Sequence, residues 1–389
     1  MISCRPSALA FFLLLALAAC AAPKPPPQAG LQLARMDFSA LPGFGGDSGA
    51  ALAAFRRGCS ALKAKPDDAP MGGAGYAGTI GDWRGVCAAA EHAGRDFFAA
   101  NFTPYEVRGA DGLFTGYYEP EISGSRTRHG AFQTPVYGIP PDLVRADLGL
   151  FIPKLKGEHI SGRVSGHALV PYPPRAEIDA DGIANAPLLL WTDDPIALFF
   201  LQIQGSGRVV FDDGSQARIA YAGENGQPYN AIGRTLIADG ELTRENVSLQ
   251  SIRAWLLAHP DKARAVMETN RSYIFFREAP LGDTALGSPG ALGVALTPLA
   301  SLAVDPRLNA LGAPFFVAAG GPDPVHGILI AQDVGGAIRG PVRGDIFFGF
   351  GTDAERRAGA MKAPGRLFVL LPKALAARIG DGGVYGAGA

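Results

Sequence analysis

The stretch Asp333-Val334-Gly335-Gly336-Ala337-Ile338-Arg339-Gly340-Pro341-Val342-Arg343-Gly344-Asp345, continued by Ile346-Phe347-Phe348-Gly349-Phe350-Gly351, carries most of the information in this chain. From Asp345 it is a short apolar and aromatic run punctuated by glycines, the pattern of a buried strand. The acid stands against a wall of Ile and Phe, and the glycines permit close approach by another backbone. Desolvation disfavours the carboxylate and raises its pKa above ~3.9, as a proton donor near neutral pH requires. Asp333 can hydrogen-bond to Asp345 or share its proton, which is the environment of a general acid at a glycosidic bond. Two loop aspartates accepting backbone N–H bonds would leave the same residues in place.

Two upstream segments carry more polar groups than packing needs. In Gly112-Leu113-Phe114-Thr115-Gly116-Tyr117-Tyr118-Glu119-Pro120, polar and aromatic side chains crowd a Gly-flanked strand. Tyrosine rings stack on sugar C–H faces while their hydroxyls hydrogen-bond, so Thr115, Tyr117, Tyr118 and Glu119 are candidate ligand contacts. In Phe199-Phe200-Leu201-Gln202-Ile203-Gln204-Gly205-Ser206-Gly207, a strand reading puts Gln202 and Gln204 on one face and Leu201 and Ile203 on the other. Amides on so apolar a strand need buried partners or a polar ligand, which adds Gln202, Gln204 and Ser206 to the candidates. Each segment alone also has an ordinary structural reading.

Around these segments the pattern is helical from Ala50 to Phe102, with a loop from Pro66 to Gly78. Strands are expected at Leu188–Trp191, Ile196–Ile203 and Arg208–Phe211, the last entering a hairpin turn at Asp212-Asp213-Gly214. Helical character returns at Leu249–Ala258 and Lys262–Thr269. Further strands are expected at Tyr273–Phe276, Ala291–Leu296, Phe315–Ala318, Gly327–Ala331 and Arg366–Leu371. With 52 Gly and 31 Pro in 389 residues, turns are frequent and strands short, which favours barrels or sandwiches over a parallel α/β sheet. The length suggests two or three domains. A formal charge of −1 argues against a nucleic-acid binder. There is no His-Glu-x-x-His, Cys-x-x-Cys or Walker loop, and the six His are scattered, so neither metal nor cofactor is expected. Gly46-Asp47-Ser48-Gly49 mimics a serine-protease nucleophile but has no His upstream. Asp179-Ala180-Asp181-Gly182 lacks the acid that a calcium loop needs at its twelfth position, here Leu190.

The N-terminus reads as an address. Arg5 precedes an unbroken apolar stretch from Ala8 to Ala19, too short to cross ~30 Å of hydrocarbon comfortably, so residues 1–19 read as a secretory signal. Leu17-Ala18-Ala19-Cys20 resembles a bacterial lipobox, which makes Cys20 the expected lipid anchor, and residues 20–35 form the anchor and a Pro-rich spacer. Ala21, not Asp, follows the Cys, which in enteric bacteria implies sorting to the outer membrane, with the body facing the periplasm. Plain signal cleavage nearby is the alternative. Cys59 and Cys87 are then left as a disulfide candidate in an exported chain, each on one face of a helical segment. Two buried free thiols are the alternative there.

The segments Gly116-Tyr117-Tyr118-Glu119-Pro120, Gln202–Arg208, Tyr221-Ala222-Gly223-Glu224-Asn225-Gly226, Asn270-Arg271-Ser272-Tyr273-Ile274-Phe275-Phe276 and Asp333–Asp345 resemble, in order, those of the membrane-bound lytic murein transglycosylase A (MltA) family. The last also resembles the 3D domain, named for three aspartates that would here be Asp305, Asp333 and Asp345. One departure is Asn309-Ala310-Leu311-Gly312-Ala313, where the family often has Ile-Pro-Leu-Gly-Thr. The resemblance implies a mainly β fold with some helix: a double-psi β-barrel from residues 36–120 plus 269–378, a second β-barrel inserted at 121–268, and a glycan groove between them. It implies cleavage of the β-1,4 bond between N-acetylmuramic acid and N-acetylglucosamine in peptidoglycan, leaving 1,6-anhydromuramoyl ends. Asp345 would be the catalytic acid/base and Asp333 its neighbour, with glycan strands and, through Cys20, the membrane as partners. The sequence names no protein partner. A non-catalytic peptidoglycan-binding protein and a true muramidase remain the competing readings.

Overall fold

The computed structural model describes residues 31–45, 48–155, 158–321, 323–335 and 337–386. Residues 1–19, expected to be a signal, and Cys20, the expected anchor, lie outside the described residues, as do Gly46 and Asp47. The fold is mainly β and is built around two closed rings of strands.

The first ring runs Pro314–Ala319, Val325–Val334, Ser301–Val304, Arg343–Phe350, Leu113–Glu119 and Lys362–Pro372, and the last strand pairs back onto the first. Two of its pairings are parallel: Ser301–Val304 with Val325–Val334, and Arg343–Phe350 with Leu113–Glu119. This is the expected double-psi barrel, and closure leaves its six strands without a free edge. Phe102–Arg108, Leu31–Arg35 and Val384–Tyr385 extend the sheet to one side. Phe315, Leu329, Ile330, Ile346, Leu367 and Val369, all strand residues with no measurable exposure, fill the core.

The second ring lies between Leu113–Glu119 and Ser301–Val304 in the sequence. Ile274–Ala279, Gln216–Glu224, Ser206–Phe211 and Glu121–Gly124 form one sheet, and Thr134–Tyr137 pairs with Leu188–Thr192. Single bridges Ser125↔Trp191 and Gly138↔Phe276 join the two and close the ring. Ile122, Val136, Leu190, Leu201, Val209, Phe211, Ile219 and Phe276 meet inside it. The hairpin at Asp212-Asp213-Gly214 is made as its chemistry requires: Asp213 accepts from Ser215 N at 2.8 Å and Gly214 takes φ 81°.

Helix Gly49–Lys63 packs over the first barrel, with Phe55 in an aromatic cluster with Phe97, Phe98 and Phe102. It is linked to helix Gly81–Ala90 by a disulfide between Cys59 and Cys87, whose Cα atoms are 5.5 Å apart.

Two expected strands are not strands. Ile196–Ile203 lies in a helix, Pro195–Gln204. Asp194 caps it by accepting from Ile196 N and Ala197 N, Pro195 opens its first turn, and Gly205 ends it in the left-handed conformation at φ 83°. The helix is wedged between the second barrel and the helices Leu249–Ala258 and Pro260–Glu268, so it is apolar nearly all round and shows no amphipathic period. Ala291–Leu296 is a tight turn, closed by Gly293 N to Gly290 O at 2.8 Å and Gly290 N to Val294 O at 3.0 Å. The turn presents the Ala291 N–H to Asp333 rather than to a neighbouring strand.

Candidate active site

A β-bulge sets the geometry. Leu302 is level with Ala331 but Ala303 with Asp333, so Gln332 is an extra residue in its strand. Its buried amide accepts from Ser301 Oγ at 2.6 Å and donates to Ala54 O at 2.8 Å, which pins the bulge to helix Gly49–Lys63. Asp333 is thereby level with Ala303, Ala303 with Asp345, and Asp345 with Thr115. The two aspartates stand on one rung, two strand spacings or about 10 Å apart at the backbone. Two residues on, Phe347 is level with Tyr117, and their rings lie 5.2 Å apart. Gly116 separates Thr115 from Tyr117, because a Cβ there would lie 2.6 Å from the Phe348 ring and 2.7 Å from Ala358 Cα.

The rung opens on a cavity of about 540 Å³ lined by Tyr117, Tyr118, Gln204, Ser206, Asp333 and Asp345, with Ser288, Pro289, Leu296 and Ile338 among its walls. Thr115 Oγ1 donates to Asp345 Oδ1 at 2.5 Å, and Arg343 Nη2 donates to Thr115 Oγ1 at 2.8 Å. A guanidinium has no acceptor, so the hydroxyl must receive from Arg343 and spend its one proton on Asp345. Arg343 is steadied by donating from Nη1 to the carbonyls of Leu113 and Gly344. Among the described residues no hydrogen bond reaches Asp345 Oδ2. Burial pushes the Asp345 carboxyl above the ordinary carboxylate range; Thr115 and Arg343 oppose the rise, and the charge of Asp333 adds to it.

Asp333 is placed differently. Its Oδ2 accepts from Tyr117 OH at 3.0 Å and its Oδ1 from Ala291 N at 3.0 Å, so both oxygens are occupied. Burial and the neighbouring Asp333 hold the Tyr117 phenol well above its ordinary pKa, so it remains a donor. Asp305 has no measurable exposure and binds Gly340 N at 2.9 Å and Arg307 Nη2 at 2.7 Å. Burial raises its pKa, but these hydrogen bonds outweigh it and the net direction is down. Asp305 is a latch for the loop that carries Ile338 to the cavity wall.

Glu119 borders the cavity but its carboxylate points into a buried ion cluster. It accepts from Arg218 Nε at 2.7 Å, Arg208 Nε at 3.2 Å and Ser288 Oγ at 2.6 Å. The two arginines also donate to the carbonyls of Leu281, Thr284 and Leu286. Glu119 thus ties the end of the first barrel's strand to two strands of the second and to the segment leading to Ala291. Gln204 and Ser206 line the cavity, whereas Gln202 is buried and donates from Nε2 to Ile274 O at 3.3 Å. On a helix, residues two apart point in nearly opposite directions, and this corrects the expectation that Gln202 and Gln204 share a face. Buried Asn225 donates to Pro173 O and Arg271 O and accepts from Tyr273 N, which gives its sequence segment a structural role. The sequence offered no signal for Ser288 or the Ala291 turn. Arg343 stood in plain sight two residues before Asp345. Among the described residues no cluster of three or more His, Cys, Asp or Glu could hold a metal ion.

Two barrels, a groove at their junction and one desolvated carboxylic acid in it define a class of glycan-cleaving proteins rather than a generic β protein. The family description "MltA specific insert domain" matches residues 113–277, and "3D domain" matches 300–371. The chain is 33% identical over 280 residues to the membrane-bound lytic murein transglycosylase A of Escherichia coli (strain K12), covering 68% of each chain. The crystal structure of MltA from Neisseria gonorrhoeae superposes with a TM-score of 0.75 at 32% identity, covering 88% of this chain and 91% of that one. That of E. coli MltA with bound chitohexaose superposes at 0.61 with 27% identity, covering 82% and 90%. The chain belongs to the MltA family of membrane-bound lytic murein transglycosylases.

Proposed function

We propose that this enzyme, a peptidoglycan lytic transglycosylase, cleaves the β-1,4 bond between N-acetylmuramic acid and N-acetylglucosamine with Asp345 as its single acid/base. The observation that carries this reading is the accounting of carboxylates around the cavity. Glu119 is consumed by Arg208, Arg218 and Ser288, and Asp333 by Tyr117 and Ala291 N. Asp345 alone of the three has an oxygen without a hydrogen bond among the described residues, and burial pushes its carboxyl above the ordinary carboxylate range. An ordinary glycosidase needs two working carboxylates, one as acid and one as nucleophile or base. A site with one suits attack by the substrate's own C6 hydroxyl.

Asp345 gives its Oδ2 proton to the glycosidic oxygen as the C1–O bond breaks, and N-acetylglucosamine leaves as the alcohol. The muramoyl O6 then bonds to C1, and its proton returns to the Asp345 carboxylate, so no water is consumed. Positive charge developing at C1 faces Asp345 after it has lost its proton, along with the cavity's oriented dipoles, among them the Tyr117 hydroxyl and the Gln204 amide. Thr115 positions Asp345; Tyr117, Tyr118, Gln204 and Ser206 are contacts for the sugars, while Gln202 and Glu119 support the walls. The chitohexaose held by the E. coli relative supports a glycan in this groove. Residues 36–120 plus 269–378 form the catalytic unit and 121–268 the inserted one. Residues 1–19 are a signal, and lipidated Cys20 anchors the enzyme to the outer membrane facing the periplasm, a reading supported by the sequence of that segment.

Asp345→Asn keeps the shape and the Thr115 contact but cannot cycle a proton. It is expected to unfold cooperatively like the parent and to show no turnover of purified sacculi. Substantial residual turnover would remove Asp345 from the acid/base role.

A further inference from the structure

Outside the groove, residues 144–155 and 158–171 form a flap. Val144–Asp147, His159–Ser165 and Ala168–Pro171 make a three-stranded antiparallel sheet separate from both barrels. The register sorts its side chains. Ala146 is level with Ile160, and Val164 with Leu169, while Arg145 is level with Ser161. One face is therefore apolar and the other polar. On the polar face Ser161 sits against the body, since a Cβ built at Gly226 would lie 2.9 Å from Ser161 Cβ, while His159, Arg163 and Ser165 stay exposed. The apolar face turns outward, with Ile160 48% and Val164 64% exposed. Beyond the strand ends, Leu148 N to Glu158 O at 2.9 Å closes a loop whose tip carries Leu150 and Phe151, 83% and 75% exposed. Soluble proteins seldom leave adjacent large apolar side chains so bare on a protruding turn without something to cover them.

We propose that this tip is a second membrane contact, inserting Leu150, Phe151 and Ile152 into an anionic phospholipid surface. The inference rests on the reading that the enzyme works at a membrane. The exposure selects the occupant: side chains as bare as Leu150 and Phe151 do not line a groove that could receive a segment, and a soft surface covers them by letting them in. The charge selects it too. The described residues of the flap carry Arg145, Lys154 and Arg163 against Asp147 and Glu158, a local excess of positive charge in a chain of net −1. Arg145 packs against His159 where the strands meet the loop, directly behind the tip. An apolar tip with a basic collar is the pattern of interfacial anchoring on acidic lipid. A second copy of the flap would bring like charges together. Held at both Cys20 and the tip, the enzyme would present its groove to the cell wall in one orientation.

The test uses the full chain reconstituted into phosphatidylethanolamine/phosphatidylglycerol vesicles, with an environment-sensitive fluorophore at Phe151→Cys or, in a second preparation, Leu150→Cys. A control label goes on Glu245→Cys, exposed and on another part of the molecule. The tip labels are expected to shift to the blue and lose most of their emission to phospholipid brominated in the acyl chain, and the control to do neither. Replacing phosphatidylglycerol with phosphatidylcholine should weaken the effect. Chain that floats with the vesicles while the tip labels stay in water would overturn the tip contact and leave anchoring intact. Chain that does not float, with wet labels, would overturn both. A blue shift in concentrated protein without lipid would replace the bilayer with a second copy.

Discussion

At the scale of single residues, the account turns on how Asp345 is held. Its carboxyl is raised chiefly by burial, while Thr115 favours the charged form. Thr115→Val should therefore lift the pKa further and move the alkaline limb of the pH–rate profile upward, and Thr115→Ser should keep it in place; a limb that ignores the valine would deny the hydrogen bond its role. Stability carries the same sign in another readout. A folded-state pKa above the unfolded one means a penalty that is absent below ~3.9 and complete above the folded value. Asp345→Asn should thus raise the melting temperature at neutral pH, with the gain vanishing as pH falls towards 4. The burial of Asp345 was legible from the Ile-Phe-Phe run that follows it. That Asp333 is fully hydrogen-bonded was not, because its partners come from Tyr117 and Ala291, 216 and 42 residues away.

Among the elements, helix Pro195–Gln204 shows where sequence periodicity fails and local chemistry does not. Six consecutive apolar residues, Ile196 to Leu201, fit a buried strand as well as a helix buried on every side, yet Asp194, Pro195 and Gly205 sit where a cap, a first turn and a stop belong. Asp194→Ala should cost about 1 kcal/mol in urea unfolding. The Glu119 cluster is costlier to disturb. Removing the charge leaves two buried guanidiniums facing a neutral amide, and Glu119→Gln should destabilise by about 3 kcal/mol. It should also lower turnover, because the same cluster steers the segment that reaches Asp333. A Glu119→Gln enzyme as stable as the parent would show that the arginines are held by the carbonyls alone. Reduction of the Cys59–Cys87 bridge, which spans 28 residues, is expected to cost about 3.5 kcal/mol by the loop-entropy relation.

For the whole molecule, two closed barrels place Asp345, the proposed acid/base, at their junction, and the chain threads between them. The hairpin, the β-rich halves and the helical entry were readable from turn residues and short apolar runs. Ring closure was not, since it depends on pairings such as Phe315 with Val369 and on single bridges at Ser125 and Gly138 that no local pattern encodes. The groove takes its geometry from that closure: three carboxylates border it, Glu119 and Asp333 have both oxygens hydrogen-bonded, and Asp345, the proposed proton carrier, keeps one oxygen without a hydrogen bond among the described residues. The decisive measurement is the mass of the muropeptide ends released from purified sacculi by the parent enzyme and by Asp345→Asn. Anhydromuramoyl ends, one water lighter than reducing ends, are expected from the parent and none from the variant. Reducing ends would make the enzyme a hydrolase with a second working group, and intact sacculi that merely bind the protein would make the groove a recognition site.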